Sequence, residues 1–179
     1  YFCATGGLGD VAIHDDRHFS AFHEAAKALE GELNLDGRGK GIRHFPDTYS
    51  GATTGAFIDS WINFYHDTFH SMCLEYLMTG DRRWLDLAQA SSRHYMDIDI
   101  IHNWPPNPNL IGLPHGTGSN HTGHDPYSLI AHLNGLVDVY FLTGDPDAGE
   151  AAQELGEAIM RNRYGFGGSS RDNGWPMQG

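Results

Sequence analysis

Residues 77–82 read Leu-Met-Thr-Gly-Asp-Arg and residues 141–146 read Phe-Leu-Thr-Gly-Asp-Pro. The two Thr-Gly-Asp tripeptides lie 64 positions apart, and each separates two stretches of helical periodicity. Superposing the copies also matches Tyr76 with Tyr140 and Ala88-Gln89 with Ala152-Gln153, which is the signature of a repeated helix-turn-helix unit. Gly80 and Gly144 suit the left-handed residue that closes a helix, and Asp81 and Asp145 suit the N-cap of the next. Pro146 falls at a first helical position, where no amide is needed. The fold class that follows is all-α, a partial (α/α)n toroid built of antiparallel helical hairpins.

Working outward, residues 17–35 place Phe19, Phe22, Ala26, Leu29 and Leu33 at steps of three and four, an amphipathic helix. Residues 36–58 carry Asp36-Gly37-Arg38-Gly39-Lys40-Gly41, Pro46, Ser50-Gly51 and Gly55, the chemistry of a loop. The spacing then predicts a nearly all-apolar helix from about Asp59 to Met78 and an amphipathic one over about 82–100. Residues 101–124, rich in Pro and Gly, read as a second long loop. Further helices are expected from about Pro126 to Leu142 and from Pro146 to Arg163. A third loop over 164–174 leads to Trp175-Pro176-Met177, which reads as another helix start.

Turns inside a hairpin are thus short and connections between hairpins long, and long ordered loops in a compact domain are usually functional. If the helices alternate strictly in direction, both Thr-Gly-Asp turns fall on one face and loops 36–58, 101–124 and 164–174 on the other. Topology then gathers His115, His121, His124, Trp104, Arg171 and Trp175 at a common end. The chain is read as a single α-helical domain, 1–179, and as a fragment of a longer multidomain protein. It opens on Tyr1-Phe2-Cys3 and stops just after what reads as a new inner helix, so other domains or subunits are expected to cover an open apolar edge.

A formal charge of −12 with 11 Lys plus Arg argues against nucleic acid or an anionic membrane as partner, since nothing here would neutralise a row of phosphates. No run approaches the roughly 20 apolar residues of a membrane helix, and no signal peptide is recognisable in this chain. The 12 His make the surface charge sensitive to mild acid. Of the two cysteines, Cys73 lies on an apolar helix and reads as a buried thiol in preference to half of a disulfide with Cys3.

The segments LEYLMTGDRRWLDLAQASSRHYMDIDIIH (74–102), LNGLVDVYFLTGDPDAGEAA (133–152) and DNGWPM (172–177), with INFYHDTFH (62–70), carry a likeness to a known family. They resemble the toroid domain of the exo-rhamnogalacturonan lyase-like family of bacterial extracellular carbohydrate-active proteins. The resemblance covers about residues 59–177 and implies a secreted protein. It also implies a polysaccharide or oligosaccharide partner at the mouth formed by the long loops, and β-elimination on an acidic, pectic-type glycan. The helix, Thr-Gly-Asp, helix pattern also occurs in unsaturated glycuronyl hydrolases and other α-toroid glycosidases, so hydrolysis stands as the alternative activity. A non-catalytic glycan-binding or assembly module is the alternative of a different class.

Elimination from a uronic acid requires a group that neutralises the carboxylate, a base for the C5 proton and an acid for the leaving oxygen. His115 or His121 is the expected base, Asn120 and His124 face the carboxylate, and Tyr127 or Tyr65 gives the proton. Asn63, His66, Asp67 and His70 share one helical stripe, which makes His66 a further catalytic candidate and Asn63 and His70 a substrate-facing wall. Trp61, Trp104 and Trp175 are sugar platforms, and Arg171 and Asn173 lie beside the last of them. The bland reading of the same residues is a Gly-rich loop that caps a helix and a pair of core histidines. Asp97, Asp99 and His102 close a helix, where carboxylates oppose the macrodipole and call for a partner such as Arg93 or His94. No cofactor is implied, though the spacing of His115, His121 and His124 would suit a divalent ion. Glu32, Asn34, Asp36 and Gly37 make only half of a calcium loop, because Arg43 holds its twelfth position.

Overall fold

The computed structural model describes residues 67–116, 126 and 130–162, with Glu24 and the backbones of Thr48–Tyr49 and Trp61–Ile62. These residues are predominantly α-helical, as the periodicity predicts, and form two hairpins. The first pairs α1 (Thr68–Thr79) with α2 (Arg82–His94), and the second pairs α3 (Asn134–Thr143) with α4 (Pro146–Asn162). Glu24, within the first expected helix, is helical. Two short strands, β1 (Thr48–Tyr49) and β2 (Trp61–Ile62), pair antiparallel.

Both Thr-Gly-Asp turns use one set of local bonds. Gly80 (φ 72°) and Gly144 (φ 73°) are left-handed, and their amides donate to Tyr76 O at 2.7 Å and Tyr140 O at 2.8 Å. Each threonine hydroxyl donates back four residues, Thr79 to Glu75 O and Thr143 to Val139 O, both at 2.6 Å. Each also accepts the amide of the aspartate that follows, at 3.2 Å for Asp81 and 3.1 Å for Asp145. The aspartates then accept the amides of Arg83 (3.0 Å) and Asp147 (3.1 Å), which would otherwise be orphan donors of a helix N-terminus. The tripeptide therefore satisfies the end of one helix and the start of the next without help from the rest of the fold.

The two turns flank opposite ends of α2, contrary to the expectation of a common face. Asp81 caps the start of α2. Arg93, in its last turn and about 17 Å along the axis at ~1.5 Å per residue, donates to Asp145 at 3.1 Å and to Asp147 at 2.6 Å. The second turn is thus anchored to the C-terminal end of α2 by the charge that a helix C-terminus favours.

Two helix starts also differ from the periodicity. The expected helix from Asp59 begins instead at Thr68, because Asp67 caps it through the His70 amide at 3.2 Å. Trp61 and Ile62 belong to β2, opposite Tyr49 and Thr48. The expected helix from Pro126 begins at Asn134, and Pro126 forms an isolated bridge with His115. Here the backbone is held by tertiary bonds instead. The Tyr95 hydroxyl donates to Ile130 O at 2.6 Å and accepts from the His132 amide at 3.1 Å, and Asp67 Oδ2 accepts the Gly135 amide at 3.0 Å.

Past α2 the helix widens into a π-type turn over Tyr95–Asp99, closed by the Ile100 amide donating to Tyr95 O at 3.0 Å. The following loop is pinned at its neck. Ile101 N donates to Leu113 O and Gly112 N to Ile101 O, both at 2.9 Å, and His115 N to Asp99 O at 2.8 Å. Its tip docks on α4, where Arg161 donates to Ile111 O at 2.8 Å and Asn162 to Asn109 O at 2.9 Å.

One core joins these pieces, with Phe69, Met72 and Cys73 of α1, Trp84 and Ala88 of α2, Leu136 and Val139 of α3 and Leu155 of α4 buried together. Each large apolar side chain so buried contributes about 1.5–3 kcal/mol. Cys73 is a free buried thiol, as expected. Burial, followed by the charges of Asp138 and Asp67, holds it far above the ordinary thiol range, so it stays protonated. Cys3 lies outside the described residues. Among those residues no helix is long and apolar enough to cross a membrane.

The hairpins are pressed together at Gly135, where a Cβ would overlap the Phe69 ring and the Asp67 carboxylate. Gly135→Ala is expected to lower stability by about 1–3 kcal/mol despite alanine's better helix propensity. Gly156→Ala on α4, where nothing lies within 4 Å of the added methyl, should instead raise it by about 0.5–1 kcal/mol. Urea unfolding of the two variants checks the opposite signs.

Candidate functional site

Several polar groups of the interior collect where α1 begins, α2 ends and α3 begins. Asp67 sits at the junction, because it must cap α1 and lies beside the first turn of α3. Its Oδ1 accepts the His70 amide at 3.2 Å and its Oδ2 the Gly135 amide at 3.0 Å. One turn further along both helices, His70 Nδ1 donates to Asp138 Oδ2. A helix whose neighbours Leu136 and Val139 are fully buried carries Asp138 inward with them. A buried carboxylate needs a partner, and His70 provides it.

Electrostatics follow from this contact. The hydrogen bond to Asp138 raises the His70 pKa above its ordinary 6.5, opposed by burial and helped by the charges of Asp138 and Asp67. Burial pushes Asp67 above the usual carboxylate value, while His132, His70 and the two backbone donors pull it back. The His70 side chain keeps 34% of its surface and Asp138 only 12%. With Nδ1 engaged, Nε2 is the nitrogen that can take or give a proton, and among the described residues nothing bonds it. The arrangement is a half-exposed imidazole oriented by a sheltered carboxylate, a pair suited to proton transfer or to holding an anion.

A second set adjoins it. Tyr95, fully buried, packs its ring on Phe69 (5.4 Å between centroids) and lies 6.5 Å from the His132 ring. Burial pushes its hydroxyl well above the usual range, so it remains a neutral donor. His94 and Asp99 are wholly buried, with Nε2 and Oδ2 3.6 Å apart. The Asp99 carbonyl holds the His115 amide, and the His115 ring meets Trp104 edge-on at 5.7 Å.

His115 and Trp104 are therefore brought together, as the loop topology led one to expect, but His115 retains only 8% of its surface. His70 is half-buried beside Asp67, and the helical stripe expected to hold both is shortened because Asp67 is the cap and precedes the helix. For Trp61 only the backbone in β2 is described. Asn63, Tyr65, His66, Asn120, His121, His124, Tyr127, Arg171, Asn173 and Trp175 lie outside the described residues. Of the acidic set closing α2, Asp97 is exposed, His102 Nε2 donates to Met96 O at 2.7 Å, and Asp99 faces His94 in the interior and not solvent. Among the described residues no group of three His, Cys, Asp or Glu is spaced to hold a metal. His121 and His124, two of the three expected ligands, are not among them.

Asp138 and His132 were not singled out from the sequence. The available signal was a lone carboxylate within Leu-Val-Asp-Val-Tyr, an apolar run that would place it among buried neighbours. Tyr95 is the most deeply committed polar group of the set, so Tyr95→Phe is expected to cost roughly 1–3 kcal/mol by withdrawing a partner from Ile130 O and the His132 amide. Denaturant unfolding with an unchanged m value checks this.

No protein-family profile, curated protein or solved structure matches the chain.

Proposed function

We propose that the chain is the helical part of a secreted carbohydrate-active protein, an (α/α) toroid of hairpins acting on an acidic, pectic-type glycan by β-elimination. The observation that carries the reading is the half-exposed His70 with its Nδ1 committed to Asp138. Elimination needs a base for the C5 proton, and an imidazole so oriented presents Nε2 for that proton. Trp104, beside His115 on the neighbouring loop, offers an aromatic face to the apolar side of a sugar ring. The likeness of residues 59–177 to the exo-rhamnogalacturonan lyase-like family supports the same substrate class. The net charge of −12 favours a substrate bound through local contacts at the site over one attracted by the whole surface.

A non-catalytic glycan-binding or assembly module is the second reading. It is favoured by the Asp67 carboxylate, whose two oxygens are both occupied by backbone donors.

Incubation with pectic and other acidic glycans separates these readings. An elimination produces the ultraviolet absorbance of an unsaturated uronide, hydrolysis gives new reducing ends without it, and a binding module gives neither. His70→Asn is expected to lower kcat/KM about 10²–10⁴-fold. Because the Asp138 contact raises the His70 pKa, the free base accumulates only above its ordinary value. The rate of the wild type should therefore rise with pH through the neutral to alkaline range. Absorbance that persists undiminished in the variant would remove His70 from the mechanism.

A further inference from the structure

We propose that His70 is a proton-operated latch between the two helical hairpins. Charged, it clasps Asp138 of α3 from α1; neutral, it leaves that carboxylate without a counter-charge and the joint loosens. The inference concerns the joint itself and holds whether or not the pair meets a glycan.

The contents of the joint lead to it. Gly135 has no side chain and lies against the Phe69 ring and the Asp67 carboxylate, so the first turns of α1 and α3 are pressed together there. Asp67 and Asp138 both act on His70. With both ionised and His70 neutral, two carboxylates share a sheltered space. Protonating His70 supplies the missing positive charge between them, which is where a charge-assisted bond is strongest. Among the described residues the other groups facing the joint are Cys73 of α1, a buried thiol that burial and the charges of Asp138 and Asp67 keep protonated, His132, from the segment before α3, which acts on Asp67, and Tyr95 and Asp99 from the π-type turn. Tyr95 stays neutral across the working range, and Asp99 is turned towards His94.

The sign follows from linkage. A histidine whose folded pKa is raised stabilises the fold fully below its ordinary 6.5, and that contribution disappears as pH rises through the folded value. Asp67 is also raised from 3.8, so stability declines with rising pH there too. His70→Gln leaves Asp67 in place, so the difference between wild type and variant isolates the part due to His70.

The test compares urea unfolding of the wild-type chain and His70→Gln from pH 5 to pH 9, Gln keeping a hydrogen-bond donor but no titration. Above about pH 6.5 the wild-type unfolding constant should grow relative to the variant's by up to about tenfold per pH unit until the folded pKa is passed. If His70→Gln fails to fold, NMR titration of the His70 ring in the wild type against Asp138→Asn decides instead. The wild-type midpoint should lie above 6.5 and fall in the variant. A variant that keeps the full wild-type pH slope, or a His70 midpoint at or below 6.5, overturns the latch.

Discussion

The Asp67 carboxylate is the constraint on which the rest of the described structure depends. A helix N-terminus leaves its first amides without intrahelical partners, and Asp67 satisfies one of these for α1 with one oxygen. The other oxygen reaches an amide of α3. A single capping residue thus fixes where α1 begins and where α3 must sit. Gly135 is required at the contact because any side chain would occupy the space of the Phe69 ring. Once α3 is so placed, Asp138 arrives opposite His70, and the segment 130–133 passes over the Tyr95 hydroxyl. The pH-sensitive pair is therefore a consequence of how the hairpins are joined.

What was legible in the sequence was local. The Thr-Gly-Asp turns close on bonds that span four residues or fewer, and the left-handed glycines, threonine back-bonds and aspartate caps are all present in both copies. The ends of α1 and α3 and the starts of α2 and α4 follow from them. The starts of α1 and α3 did not, because periodicity extends an apolar run until something stops it. At Asp67 a cap stops it, and before Asn134 the backbone is taken up by Tyr95 and Asp67 from other elements. Such competition between tertiary and helical bonds leaves no mark on local spacing.

The candidate site divides in the same way. His70 stood out as a histidine on an apolar helix, but its partner lies 68 positions away, beyond any local pattern. Trp104 and His115 were placed together by the expectation that a long loop gathers its chemistry, and the loop's pinned neck brings this about. The common face expected for the two Thr-Gly-Asp turns is not seen, since Arg93 holds the second turn at the end of α2 remote from the first. An end of the bundle rich in histidine, carboxylate and tryptophan is nevertheless present, built from α1, α2, α3 and the loop together.

The central claim is that one carboxylate couples the two hairpins, and native-state hydrogen exchange at the Gly135 amide tests it most directly. In the wild type this amide is expected to exchange slowly, as a buried donor held by Asp67. In Asp67→Ala its exchange, and that of the His70 amide, should accelerate well beyond that of the Gly80 and Gly144 amides, which are bonded locally. Gly135 protection unchanged by the substitution would contradict the account, as would acceleration spread evenly over both hairpins.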